Sequence, residues 1–162
     1  MGRLRILTLI LAGLALVAVL GVAGSADAKK KCKPGTYAYG GAQARKFCGP
    51  ARARVKLPSG KVVHFHRGRC DKTKENFTIN IGTIVIGDTS KKRPKYFGIT
   101  VDPAPKDGTY TQNAAVSFTR ANKNYGVGNA TVKLKKHRSR GTFSGVLFSG
   151  GKGTVHGSFR CK

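Results

Sequence analysis

Short runs of alternating apolar and polar residues, each closed by turn residues after about ten positions, constrain this chain more than any other feature. Phe77, Ile79 and Ile81 alternate with Thr78 and Asn80. Phe97, Ile99 and Val101 repeat the pattern, as do Val132 and Leu134 between Thr131, Lys133 and Lys135. Shorter pieces run over Val62–Phe65 and Val116–Phe118, and Phe143–Phe148 and Val155–Cys161 close the chain. Turn residues separate them at Pro50, Ser59-Gly60, Gly87-Asp88, Pro103–Gly108, Asn122–Gly128 and Ser149–Gly153. Alternation with a period of two sends one set of side chains to a core and the other to water, and no stretch carries the 3.6-residue helical period. The expected fold is all-β: a single-domain antiparallel β-sandwich or barrel-like fold. At Gly82 the apolar parity switches to Ile84 and Ile86. A glycine at a parity switch predicts a bulge or a bend between sheets.

The last segment is the most regular. Arg140-Gly-Thr-Phe-Ser-Gly-Val-Leu-Phe148 leads through Ser149–Gly153 into Thr154-Val-His-Gly-Ser-Phe-Arg-Cys161. This predicts a hairpin with Val155, Phe159 and Cys161 on one face and Thr154, His156, Ser158 and Arg160 on the other. The pattern resembles the closing hairpin of small secreted bacterial β-domains that end in a cysteine. The resemblance covers about the last twenty residues and implies fold class and export, with no activity.

The N-terminus reads as an export signal. Arg3 and Arg5 precede an apolar stretch from Ile6 to Ala23, and Ala26-Asp27-Ala28 offers a small-x-small cleavage pattern. The expected organisation is a signal peptide over 1–28, a basic arm with a first strand over 29–50, and a β-sandwich or barrel domain over 51–162. An uncleaved segment would instead anchor the chain in a membrane. With cleavage, the expected location is secreted, outside the cell. Cys32, Cys48, Cys70 and Cys161 all follow the signal. An even number of cysteines in an exported chain reads as two disulfides, with three possible connectivities. Cys32–Cys48 with Cys70–Cys161 is preferred, because the first clips the basic arm and the second closes a long loop. No C-x-x-C pair is present, so no metal site is expected.

Charge shapes the functional reading. The chain has 31 Lys and Arg against 6 Asp and Glu, a net +25. Losing Arg3, Arg5 and Asp27 removes +1 and leaves +24 on the exported part. Hydrophobic residues make up 40% of the chain, enough for a core and too many for a disordered polycation. Basic runs occur at Lys29–Lys33, at Lys91-Lys92-Arg93 with Lys95, and at Lys133, Lys135, Lys136, Arg138 and Arg140. Clustered cations attract polyanions through long-range Coulomb force and counterion release, without sequence readout. The candidate binding residues are therefore Lys133, Lys135, Lys136, Arg138 and Arg140, supported by Lys91, Lys92 and Arg93. Tyr37, Tyr39, Tyr96, Tyr110 and Tyr125 lie beside basic residues and would stack on bases or sugars if exposed. The competing role is core packing with a wet hydroxyl.

His64-Phe65-His66 places two imidazoles on one face of a strand. Acting with His156 or His137, they would suit general acid–base cleavage of RNA. The blander expectation is two exposed histidines on a basic edge strand. There is no G-x-S-x-G, no G-x-x-x-x-G-K-[ST] and no G-x-G-x-x-G, and the few acids show no paired arrangement. The leading expectation is a monomeric, non-enzymatic protein that binds an anionic polymer or anionic surface and needs no cofactor. The alternatives are a small secreted ribonuclease-like hydrolase centred on His64 and His66, or a protein-interaction module presenting a loop such as Pro103–Gly108.

Overall fold

A computed structural model describes residues 32–162. The proposed signal peptide and Lys29, Lys30 and Lys31 of the basic arm lie outside the described residues. The strands are β1 (Gly35–Tyr39), β2 (Ala42–Lys46), β3 (Ala51–Lys56), β4 (Val62–Lys72), β5 (Phe77–Ile86), β6 (Tyr96–Val101), β7 (Gly108–Tyr110), β8 (Ala114–Arg120), β9 (Lys123–Lys135), β10 (Arg140–Ser149) and β11 (Thr154–Arg160). Among the described residues no helix is long and apolar enough to cross a membrane.

Eight of these strands close into an antiparallel barrel. Going round it, β3, β4, β5, β6, β8, β9, β10 and β11 are each paired with the next, and β11 returns to β3. Of the two expected architectures, sandwich or barrel, the chain forms the barrel. Closure pairs every barrel strand on both sides along at least part of its length, and the first half of β4 is left with β3 alone. Eight strands enclose a space that side chains just fill, and the inward positions do fill it. Phe65, Phe77, Phe97, Phe118, Ile79, Ile81, Ile99 and Leu134 are fully buried. Phe97 lies 5.4 Å from both Phe65 and Phe143 at ring centroids. Truncating such a ring to alanine costs about 3–5 kcal/mol in lost burial and a residual void.

The closing hairpin shows why its glycines are placed as they are. Gly141 faces Phe159, and Phe143 faces Gly157, across β10 and β11. A Cβ on Gly157 would sit 2.2 Å from the Phe143 ring, and one on Gly141 would sit 2.6 Å from Phe159. Each glycine thus leaves room for the phenylalanine of the opposite strand, the small–large alternation that fits rings inside a narrow barrel.

Gly82 marks the expected bend, with φ +88°. Before it, β5 pairs with β4 and β6; after it, Thr83–Ile86 pair with β2. The β1–β2 hairpin is thereby carried on the outer end of β5. Beyond the bend Thr83 is buried, whereas Ile86 is 59% exposed, so the apolar parity there does not mark a core face. Both preferred disulfides are present, Cys32–Cys48 and Cys70–Cys161.

One expected turn is corrected. Of Asn122–Gly128, only Asn122 is in the turn, together with Ala121, and β9 begins at Lys123. Its glycines read as turn residues, but Phe148 of β10 lies across Gly126 and covers the strand there. The Pro103–Gly108 segment is the expected turn, between β6 and β7, with Pro103, Pro105, Lys106 and Asp107 exposed. Ala104 is fully buried and its amide donates to the Glu75 carbonyl, so the loop folds over one end of the barrel.

Candidate functional site

Antiparallel pairing converts alternate residues on five neighbouring strands into straight cross-strand rungs on the outer wall. Arg52 pairs with His66 on β4 and with Arg160 on β11. Arg160 pairs with Arg140 on β10, which pairs with Lys135 on β9. The first rung therefore reads His66, Arg52, Arg160, Arg140, Lys135. The next, two residues along each strand, reads His64, Arg54, Ser158, Thr142, Lys133. All ten of these positions are exposed. The inward residues between them, Ala53, Gly141 and Phe159, belong to the barrel wall.

These rungs form the floor of a shallow groove of about 580 Å³. Arg52, Arg54, Lys135, Arg140, Arg160 and Lys162 line it, with His64 and His66, and among the described residues no acidic one does. Among the described residues the one ion pair is Arg69–Asp71, outside the groove. Like charges directly opposite on neighbouring strands repel, so the first rung holds unfavourable electrostatic energy that a bound anion would relieve.

The imidazoles of His64 and His66 stack face to face, with centroids 6.1 Å apart and planes 1° from parallel. This half of β4 pairs with β3 alone, because pairing with β5 begins at Gly68. Partial desolvation, then the charges of Arg52, His64 and Lys95, hold the His66 pKa below its ordinary value. The other two histidines are not gathered with this pair. His156 lies two strands away, in the rung beyond His64, and His137 belongs to the turn between β9 and β10. No group of three or more potential metal ligands is found among the described residues.

The sequence-predicted cations separate into three groups. Lys133, Lys135 and Arg140 stand on the rungs. Lys136 and Arg138 lie in the β9–β10 turn, where Lys136, His137 and Arg138 have φ of +53°, +56° and +55°. Three consecutive left-handed residues are costly for side chains other than glycine. Asp107 offsets that cost by accepting from the backbone N–H groups of Arg138, at 2.6 Å, and His137, at 3.0 Å. Those two hydrogen bonds, the Arg138 one foremost, hold the Asp107 carboxyl below the usual carboxylate range. The Arg138 guanidinium donates to the carbonyls of Ala104, Thr73 and Asn76 at 2.8, 2.9 and 3.1 Å. It ties three loops together over the barrel end and is largely committed to them.

Lys91, Lys92 and Arg93 lie in the β5–β6 loop, at the opposite end of the barrel from Lys135 and Arg140. Arg93 donates to the carbonyls of Gly87 and Val85, Lys91 sits over the Tyr39 ring, and the Lys92 carbonyl accepts from the Tyr39 hydroxyl. The two sequence clusters therefore do not form one surface. Sequence reasoning missed Arg52, Arg54 and Arg160. The signal for the first two is the alternation Ala51-Arg52-Ala53-Arg54-Val55-Lys56, with every second residue exposed.

Of the tyrosines, Tyr96 is buried, donates to Asn80 Oδ1 at 2.7 Å and has its pKa pushed up to about 12 by that burial. Tyr125 stacks on Phe118 at 4.6 Å, and Tyr110 donates to the Lys106 carbonyl. None of them lines the groove. No protein family, curated protein or solved structure matches this chain.

Proposed function

We propose that this protein is exported and binds an anionic polymer, without catalysis, on the outer wall formed by β9, β10, β11, β3 and β4. One observation carries the reading: Arg52, Arg160, Arg140 and Lys135 occupy four consecutive strands on one rung with no acid among them. A folded wall that places cations side by side forgoes stability unless an anion occupies it. Guanidinium groups dominate the rung, and their forked donors fit phosphate and sulfate oxygens. The two disulfides fit an oxidising compartment, which agrees with export.

Retention on heparin and on single-stranded DNA tests the reading. Both should weaken steeply with salt. Replacing Arg140 and Arg160 by Gln should flatten the salt dependence on single strands by about 0.7 per lost contact. Replacing Lys91 and Lys92 should leave it nearly unchanged. Equal retention of the Arg140/Arg160 variant and the parent would overturn the site, and RNA cleavage lost on His64→Ala would replace binding with the hydrolase reading.

A further inference from the structure

We infer that the groove takes a hydroxyl-bearing polyanion without aromatic bases, whose phosphate or sulfate esters lie along the arginine rung and whose hydroxyls meet Ser158 and Thr142. This rests on the polyanion-binding reading and adds the ligand's chemical class and its direction across the strands.

The two rungs are chemically different. The first presents Arg52, Arg160, Arg140 and Lys135 at successive steps of about 4.8 Å, the spacing of neighbouring strands. The second, about 7 Å along the strands, presents Ser158 and Thr142 as direct cross-strand partners between Arg54 and Lys133. A hydroxyl both donates and accepts, so this pair matches the hydroxyls of a sugar or polyol. The anionic track runs perpendicular to the strands, and the hydroxyl pair runs parallel to it on one side.

Between β3 and β9 the groove has, among the described residues, no open aromatic ring. Of its aromatic lining, Phe159 is 4% exposed and packs into the barrel, and the open rings, the imidazoles of His64 and His66, face each other on β4, two strands from Ser158. The exposed aromatic residues Tyr37 and Phe148 lie outside the groove. Proteins that hold single strands use aromatic platforms for successive bases. Among the described residues the lining also contains no Asn, Gln, Asp or Glu for adenine and cytosine edges, which leaves its arginines and lysines as the groups able to read a base, at guanine. The part of the wall from β3 to β9 thus presents guanidinium and ammonium groups beside two hydroxyls, a donor set that fits tetrahedral oxyanions and polyols.

Four labelled or competing probes test this on the full exported chain: oligo-dT, a tetrahydrofuran abasic strand of equal length, poly(glycerol phosphate) and heparin. The abasic strand should bind as tightly as oligo-dT, whereas a single stacked base would separate them by about fivefold or more. Thr142→Val with Ser158→Ala should weaken at least one hydroxylated polymer by about fivefold. The same variant should leave the abasic strand, which has no free hydroxyls, unchanged, and this also reports that it is folded. Weakening confined to poly(glycerol phosphate) assigns a phosphate polymer as the source, and weakening confined to heparin assigns a sulfated glycan. Oligo-dT binding at least fivefold tighter than the abasic strand would overturn the inference and leave polyanion binding intact, as would a double variant that binds both hydroxylated polymers like the parent. Failure of all four probes to bind would overturn the function itself.

Discussion

Arg140 and Arg160 stand directly opposite each other on β10 and β11, and Arg160 in turn faces Arg52 on β3. Among the described residues neither Arg140 nor Arg160 has an ion-pair partner. Opposed like charges cost roughly 0.2–1 kcal/mol per pair. Arg160 takes part in two such pairs, so Arg160→Gln should raise the stability of the free protein by about 0.4–2 kcal/mol. For a domain of this size the melting temperature should rise by about 1–8 °C. The gain should shrink as salt is added, because salt screens the repulsion in the parent. Heparin affinity should move the other way. Thermal unfolding of parent and variant at low and high salt checks this, and a less stable variant at low salt would contradict it.

Arg138 and Arg140 are two residues apart and do opposite things. The first is held by three loop carbonyls, and the second points from the strand into the groove. A lysine ammonium cannot reproduce a planar fork spread over three acceptors. Arg138→Lys should therefore destabilise the fold by about 1–3 kcal/mol while leaving heparin elution where it was. Arg140→Gln should weaken retention without loss of stability. Denaturant midpoints and elution salt, measured on both variants, separate the two roles, and a heparin defect in Arg138→Lys at unchanged stability would reverse the assignment.

Much of this architecture is local and therefore readable from sequence. The alternation at Phe77–Ile81 and Phe97–Val101, the parity switch at Gly82 and the two glycine–phenylalanine repeats of the last hairpin all act between near neighbours. The site is different. Its rungs run perpendicular to the chain, and they join Arg52, near the start of the barrel, to Arg160 at its end through the β3–β11 closure. Reading along the chain finds the run Lys133–Arg140 but counts the turn residue Arg138 as equal to its strand neighbours. It passes over Arg52 and Arg54, because two arginines between alanines are not a conspicuous run. The turn expected at Asn122–Gly128 failed for a related reason: the ring that covers Gly126 comes from Phe148 on the next strand.

His66 links binding to pH. The groups facing it are Arg52 from β3, His64 on its own strand and Lys95 ahead of β6, and all of them, with partial desolvation, resist its protonation. With the folded-state pKa lowered, the stability associated with neutral His66 is present above the ordinary imidazole value. It is lost as pH falls through the lowered folded value. A polyanion in the groove cancels the repulsion from Arg52 and favours the imidazolium, so binding takes up a proton. Affinity for heparin should therefore rise as the pH falls from 7.5 towards 5.5, even as the free protein loses some stability over the same range. His66→Gln should flatten the part of that rise due to this residue and keep the affinity measured at pH 7.5. Titration calorimetry in buffers of different ionisation enthalpy reads the proton uptake directly. Uptake equal in parent and His66→Gln would place the titrating group elsewhere.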